Sequence, residues 1–262
     1  MSKLLLGWEN HALAGTITAS ASAAGLGPEQ MQNPHGATST AWTTPSSTTS
    51  ANFVVDAGAS VEWHAFGLFN TNLSTAATVR WRVGDDPTFA AHAYDSGTLS
   101  NTVAAGYRQS LHIPPAAQTG QYLRVDLADS GNAEGRLRVA QLYAGRAVRP
   151  VRNLGFESAV ARDVQRPSLT TRGGQEFPTF RFARRSWRVE LPSLALADVS
   201  AVAEAMQIAA QDGGNVLFVP FPAGADVARE AVFGTVTTAT PIGWPGQTPK
   251  LRTFGFTISE RL

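Results

Sequence analysis

At 262 residues, 43% hydrophobic and 16% charged, the chain is long enough for one large or two ordinary domains with buried cores. A net charge of +1 argues against a globally electrostatic nucleic-acid binder, and the lack of cysteine removes disulfides and thiolate metal sites. The apolar run in MSKLLLGWEN is too short for a secretory signal, and no stretch approaches the roughly 18 apolar residues of a membrane span, so a soluble protein made in the cytoplasm is expected.

Residues 1–145 are rich in Ser, Thr, Ala and Gly, with alternating apolar positions and no convincing helix. ANFVVDAGAS (51–60), VEWHAFGLFN (61–70) and TVRWRVGD (78–85) read as strands. In the third, Val79, Trp81 and Val83 share one face and Arg80 and Arg82 the other. GDDPTF and YDSGT carry turn chemistry. Then QYLRVDLADSGNAEGRLRVAQLYAG (121–145) offers two further alternating runs. Leu123, Val125 and Leu127 face one way in the first, Leu137 and Val139 together in the second. The polar ADSGNAEG between them predicts an antiparallel hairpin buried on one side. Short strands separated by turns predict a β-sandwich over residues 1–148, with the boundary at the basic, Pro-containing RAVRPVRN.

Residues 149–262 follow a different pattern. RPSLTTRGGQEFPTFRFARRSWRVEL (166–191) reads as two strands joined at Gly173–Gly174. Phe180 and Phe182 are out of phase with Trp187, Val189 and Leu191, which predicts a β-bulge near Ala183–Arg185. An alanine-rich helix is expected from Leu194 or Val199 to Ala210. Ser193 and Asp198 are rival N-caps, and Gly213 sits at the C-terminal cap. NVLFVPFP, AVFGTVTT and LRTFGFTISERL complete the set as strands. The expected class is mainly β: an N-terminal β-sandwich jelly roll plus a C-terminal α+β domain, one helix packed on a mostly antiparallel sheet.

Few residues suggest chemistry. GLGPEQ (25–30) lacks the third glycine of a dinucleotide loop. His11, His35, His64, His92 and His112 show no helical ligand spacing. Asp85, Asp86, Asp95, Asp126 and Asp129 carry oxygens suited to calcium, but no contiguous loop supplies the six to eight it needs, and turn formation is the simpler account. No catalytic, cofactor or metal residues are assigned, and no enzyme is expected. Trp42, in the loop-like TSTAWTTPSST, is the candidate glycan contact, weighed against ordinary packing. Ten arginines lie between Arg146 and Arg188 against three acidic residues. From this cluster Arg181, Arg184, Arg185 and Arg188 are candidate assembly-interface residues, their partners expected in other subunits or the first domain.

Over about residues 10–145, ATSTAWTT, FVVDAG, TVRWRVGDD and GQYLRVDL…GRLRVAQLYAG occur in an order that resembles the galactose-binding-like (discoidin-like) jelly rolls. That resemblance implies sugar binding through loops at one end of the sandwich. The run WRVELPSLALADVSAVAEAMQIAAQDGGNVLFVPFP…EAVFGTV resembles minor tail proteins of long-tailed bacteriophages and gene transfer agents. With an N-terminal jelly roll it is similar to distal tail proteins, in reversed domain order. The resemblance implies a structural component of a phage tail tip or baseplate, located in the virion. Its partners would be other tail proteins and copies of itself, with pairing through open sheet edges such as RTFGFTISERL. A carbohydrate-binding module recognising host-surface glycan is the alternative. A polymer hydrolase is the third reading, for which no carboxylate pair is nominated.

Overall fold

The computed structural model describes residues 3–244, 246 and 250–261. Met1 and Ser2 of the opening run and Leu262 of the last predicted strand lie outside the described residues. The protein is mainly β and divides into two compact units. One comprises Met1–Arg149 with Leu217–Ala231, the other Pro150–Val216 with Val232–Arg261. By its position after Pro150, Leu217–Ala231 is expected in the second domain. In the structure that segment returns to the first unit, where Leu217–Val219 pairs antiparallel with Leu5–Gly7.

The first unit is a β-sandwich. One sheet orders Thr16–Ala19, Ser50–Trp63, Gln118–Ala128, Thr78–Gly84 and Tyr94–Asp95, all antiparallel. The facing sheet contains Leu5–Asn10, Gln141–Val148, Ala65–Phe69 and Ser110–His112. The alternating residues do what their period requires: Val79, Trp81, Val83, Leu123, Val125 and Leu127 are buried, while Arg80, Arg82, Arg124 and Asp126 line the outer face. The core also takes Trp42, Phe53, Val55, Trp63, Phe66 and Leu68. The Asp56-Ala57-Gly58 step is a bulge within Ser50–Trp63. Gly58 adopts φ 77°, and its N–H donates to Asp56 Oδ1 at 2.7 Å.

Three expectations for this unit are corrected. Residues 51–63 form one strand rather than two halves, and the chain changes sheet at His64. A short helix, His11–Ala14, caps the first strand, with Asn10 Oδ1 accepting from Ala12 N. The predicted 121–145 hairpin does not form. Gln118–Ala128 pairs with Ser50–Trp63 and Thr78–Gly84, whereas Arg138–Val139 pairs with Trp42–Thr43 and Gln141–Val148 joins the other sheet. The linking loop crosses the sandwich because buried Asp129 and Asn132 hold it. Asp129 accepts from Ser74 N at 2.8 Å, Ser74 Oγ at 2.6 Å and Asn132 Nδ2 at 3.0 Å.

The second unit orders Ala159–Gln165, Phe182–Ala195, Leu251–Glu260 and Val232–Ala239 in one antiparallel sheet. Helical residues run from Leu196 to Asp212, beginning as a 3-10 turn, widening to a π segment at Val199–Glu204 and ending as α-helix Ala205–Asp212. Val202, Ala203 and Met206 bury its inner face, and the helix packs on Val232–Ala239. Gly213 closes it at φ 66°. Neither rival N-cap acts as one: Ser193 is still in the strand, and Asp198 Oδ2 accepts from Val151 N at 2.8 Å. No bulge occurs at Ala183–Arg185, where the pairing with Ala159–Gln165 is unbroken. The register shift falls between Leu191 and Leu194 against Leu251–Glu260. Phe180 is exposed, so it needs no common phase with Val189 and Leu191.

The predicted free edge is also corrected. Leu251–Glu260 lies between two neighbours, and Gly234 beside it has no room for a Cβ, which would sit 1.9 Å from Ser259 O. Ala159–Gln165 ends the sheet instead.

Candidate functional site

Trp42 is fully buried, with Nε1 donating to Ala21 O and Ser22 Oγ, both at 3.1 Å, and its ring edge-on to Phe53. It packs in the core and offers no face to a sugar, contrary to the expected glycan contact. Trp63 Nε1 donates to Gly120 O at 2.8 Å, and Trp81 stacks on Phe66. The stack continues through His112 to Tyr94, whose hydroxyl lies 2.6 Å from His112 Nε2. Burial holds His112 down at about 4, so the ring is neutral at pH 7. His64 is lowered in the same way, by burial first.

The aspartates have partners of their own. Asp95 binds Arg80, whose hydrogen bond lowers its pKa to about 2. Asp126 meets Arg82 and Arg124, Asp86 caps its own turn at Thr88, and Asp85 accepts from Gln121 N. Among the described residues no three His, Cys, Asp or Glu side chains converge as a metal site would require.

A cleft of about 530 Å³ opens in the first unit between the 101–107 loop and residues 225–229. Val103 and Leu111 supply apolar wall, and Asn101, Thr102, Tyr107, Asp226 and Arg229 supply polar groups. Its geometry is held from below. Gln109, buried, donates from Nε2 to Ala228 O and to Ala231 O (2.9 Å for the latter), tying the returning segment to the sandwich. Asn101, Gly106 and Arg108 take φ of 57°, 77° and 53°, so the loop holds a tight backbone path that costs the two non-glycine residues conformational energy. Arg229 donates to the Tyr107 side chain, which raises its pKa; Asp226 acts in the same direction. Glu230 is raised by burial and then by Asp226. The cleft thus sets hydrogen-bond donors and acceptors beside an apolar wall, the pairing that a ring bearing both hydroxyls and C–H faces requires. None of these residues stood out in the sequence. They lie in non-periodic segments more than a hundred positions apart.

The four candidate arginines are in the second unit. Arg185 is buried and bound to Glu260, Arg184 Nε lies 3.1 Å from Asp163, and Arg188 Nε lies 2.8 Å from Glu190. Arg184, Arg185 and Arg188 thus each meet an acidic side chain within their own unit. Arg181 is exposed and begins a different region. Every residue from Val164 to Arg181 is exposed, including the short ribbon in which Ser168–Thr170 pairs with Glu176–Pro178. Leu169 and Phe177, directly opposite each other, are 72% and 56% exposed. Arg166, Arg172 and Arg181 form no ion pair among the described residues.

No protein-family model matches the chain, and no curated protein matches it. Solved structures do. A lectin domain of lectinolysin complexed with Lewis B antigen is 15% identical, over 53% of this chain and 96% of that one, with a TM-score of 0.42. A Streptococcus pneumoniae fucose binding module is 17% identical over 53% and 96%, with a TM-score of 0.42. Chitosan-binding module 1 from a Paenibacillus chitosanase/glucanase is 20% identical over 53% and 99%, with a TM-score of 0.39.

Proposed function

We propose that the protein is a non-catalytic recognition protein whose β-sandwich binds a surface glycan. The cleft carries this reading: an apolar wall and five polar residues line a space of about 530 Å³, with buried Gln109 bracing the segment on one side. A pyranose places ring C–H groups on such a wall while Asp226 accepts from hydroxyls and Arg229 and Asn101 donate to them. The full chain on a glycan array tests it. Binding that falls about tenfold in Arg229→Ala and Tyr107→Ala is expected, the loss of one or two hydrogen bonds. A 262-residue chain that binds no glycan at all would end this reading.

A second reading concerns assembly: the protein is a structural component of a bacteriophage tail tip, distal-tail-like, held in the virion through its α+β unit. The exposed ribbon favours it, because an isolated two-stranded hairpin is at best marginally stable in water and this one has no interior of its own. Mass spectrometry of purified particles is the check; absence of the protein from them would remove it.

A further inference from the structure

Resting on that assembly reading, we infer that the 164–181 ribbon of one copy docks on the outer face of the Ala205–Asp212 helix of a second copy. The two surfaces carry opposite patterns. On the ribbon, the exposed cross-strand pair Leu169 and Phe177 is flanked by Arg166, Arg172 and Arg181, with Glu176 the only acid from Val164 to Arg181. On the helix, Ile208 is 58% exposed, and Glu204 and Asp212, both exposed, lie one turn before and one turn after it. Positions i, i+4 and i+8 fall on one face, so the stripe reads acid, apolar, acid over about 12 Å. Arg166 lies just before the Ser168–Thr170 strand and Arg172 in the turn that follows it, so basic side chains stand at both ends of the strand that carries Leu169, long enough to reach past its edges. The helix's inner face is already spent on Val202 and Met206, so Ile208 has nothing to cover inside its own unit. Neither surface covers the other within one chain, since both are exposed. The contact joins two different patches, so it is head-to-tail and propagates into a ring or a filament rather than stopping at a two-fold dimer.

Sedimentation velocity of the 262-residue chain tests this. The wild type is expected to form concentration-dependent species above 27.7 kDa that dissociate as salt rises. Arg166→Glu with Arg172→Glu weakens association about tenfold or more, as does Glu204→Lys with Asp212→Lys. Mixing the two variants restores association, because each supplies the complement of the other's altered patch, and this result no folding defect would produce. A monomer at all concentrations, or association indifferent to both variants, overturns the inference. In the second case the assembly reading survives with a different contact; only absence from particles removes that reading.

Discussion

The sandwich and the 164–181 ribbon are both built from short β-strands, yet they hold their strands by different means. In the sandwich, Trp42, Trp63, Trp81, Phe53 and Phe66 are fully buried, and the indole nitrogens of Trp42 and Trp63 reach backbone carbonyls. Each strand there gains both a ladder and a face. In the ribbon the ladder is all there is: Leu169 and Phe177 lie on it without cover, so backbone pairing is not matched by apolar burial. The sandwich strands are covered by a second layer, whereas the ribbon's Leu169 and Phe177 are left in solvent.

The comparison breaks first if the core proves tolerant. Trp81→Ala, which removes the ring stacked on Phe66, should destabilise the chain by about 4 kcal/mol, read from urea denaturation. Next comes the second unit's own anchor. Glu260→Ala leaves Arg185 buried without its carboxylate, and a loss of about 3 kcal/mol is expected, while Glu190→Ala, which frees only the exposed Arg188, should cost under about 1 kcal/mol.

Acid should act on the sandwich. His112 has a folded pKa of about 4 against an ordinary 6.5, so between those values the unfolded chain binds more protons and stability falls as pH drops. The contribution is fully present above pH 6.5 and is lost on the way down to about pH 4, on the order of 2 kcal/mol for a half-buried ring. His64 adds in the same direction. Asp95, held at about 2 against an ordinary 3.8, adds a further loss below about pH 4. Urea midpoints from pH 7.5 to 3.5 read the slope, and His112→Gln should flatten it above pH 4. The smallest effect sharpens the contrast most: Leu169→Ser with Phe177→Ser should leave stability within about 0.5 kcal/mol of wild type, because those side chains are already in water.

Much of the fold was legible residue by residue. Alternation placed Val79, Trp81, Val83, Leu123, Val125 and Leu127 on the inner face, where they are. Alanine content, with Gly213 at its end, located the helix. The site was not legible. The neighbours of Trp42 look like a loop, but local sequence does not say whether a loop folds over a side chain, as it does here. Arg184, Arg185 and Arg188 were assigned to an interface because few acids lie near them in sequence; Glu260, which binds Arg185, is seventy-five positions away. The cleft joins Tyr107 to Arg229 across a gap of the same kind.

What the sequence determined by itself is therefore which face of each strand is buried, where the helix ends and where the composition changes near Pro150. Those properties depend on neighbours two to four positions away, through the pleat, the helical turn and the backbone freedom of glycine. The tertiary structure alone decided which strand pairs with which, that Leu217–Ala231 returns to the sandwich, and which charges meet. Period-two alternation is the same whether a strand's neighbour is ten residues away or a hundred, so partner choice is written only in how the whole core closes.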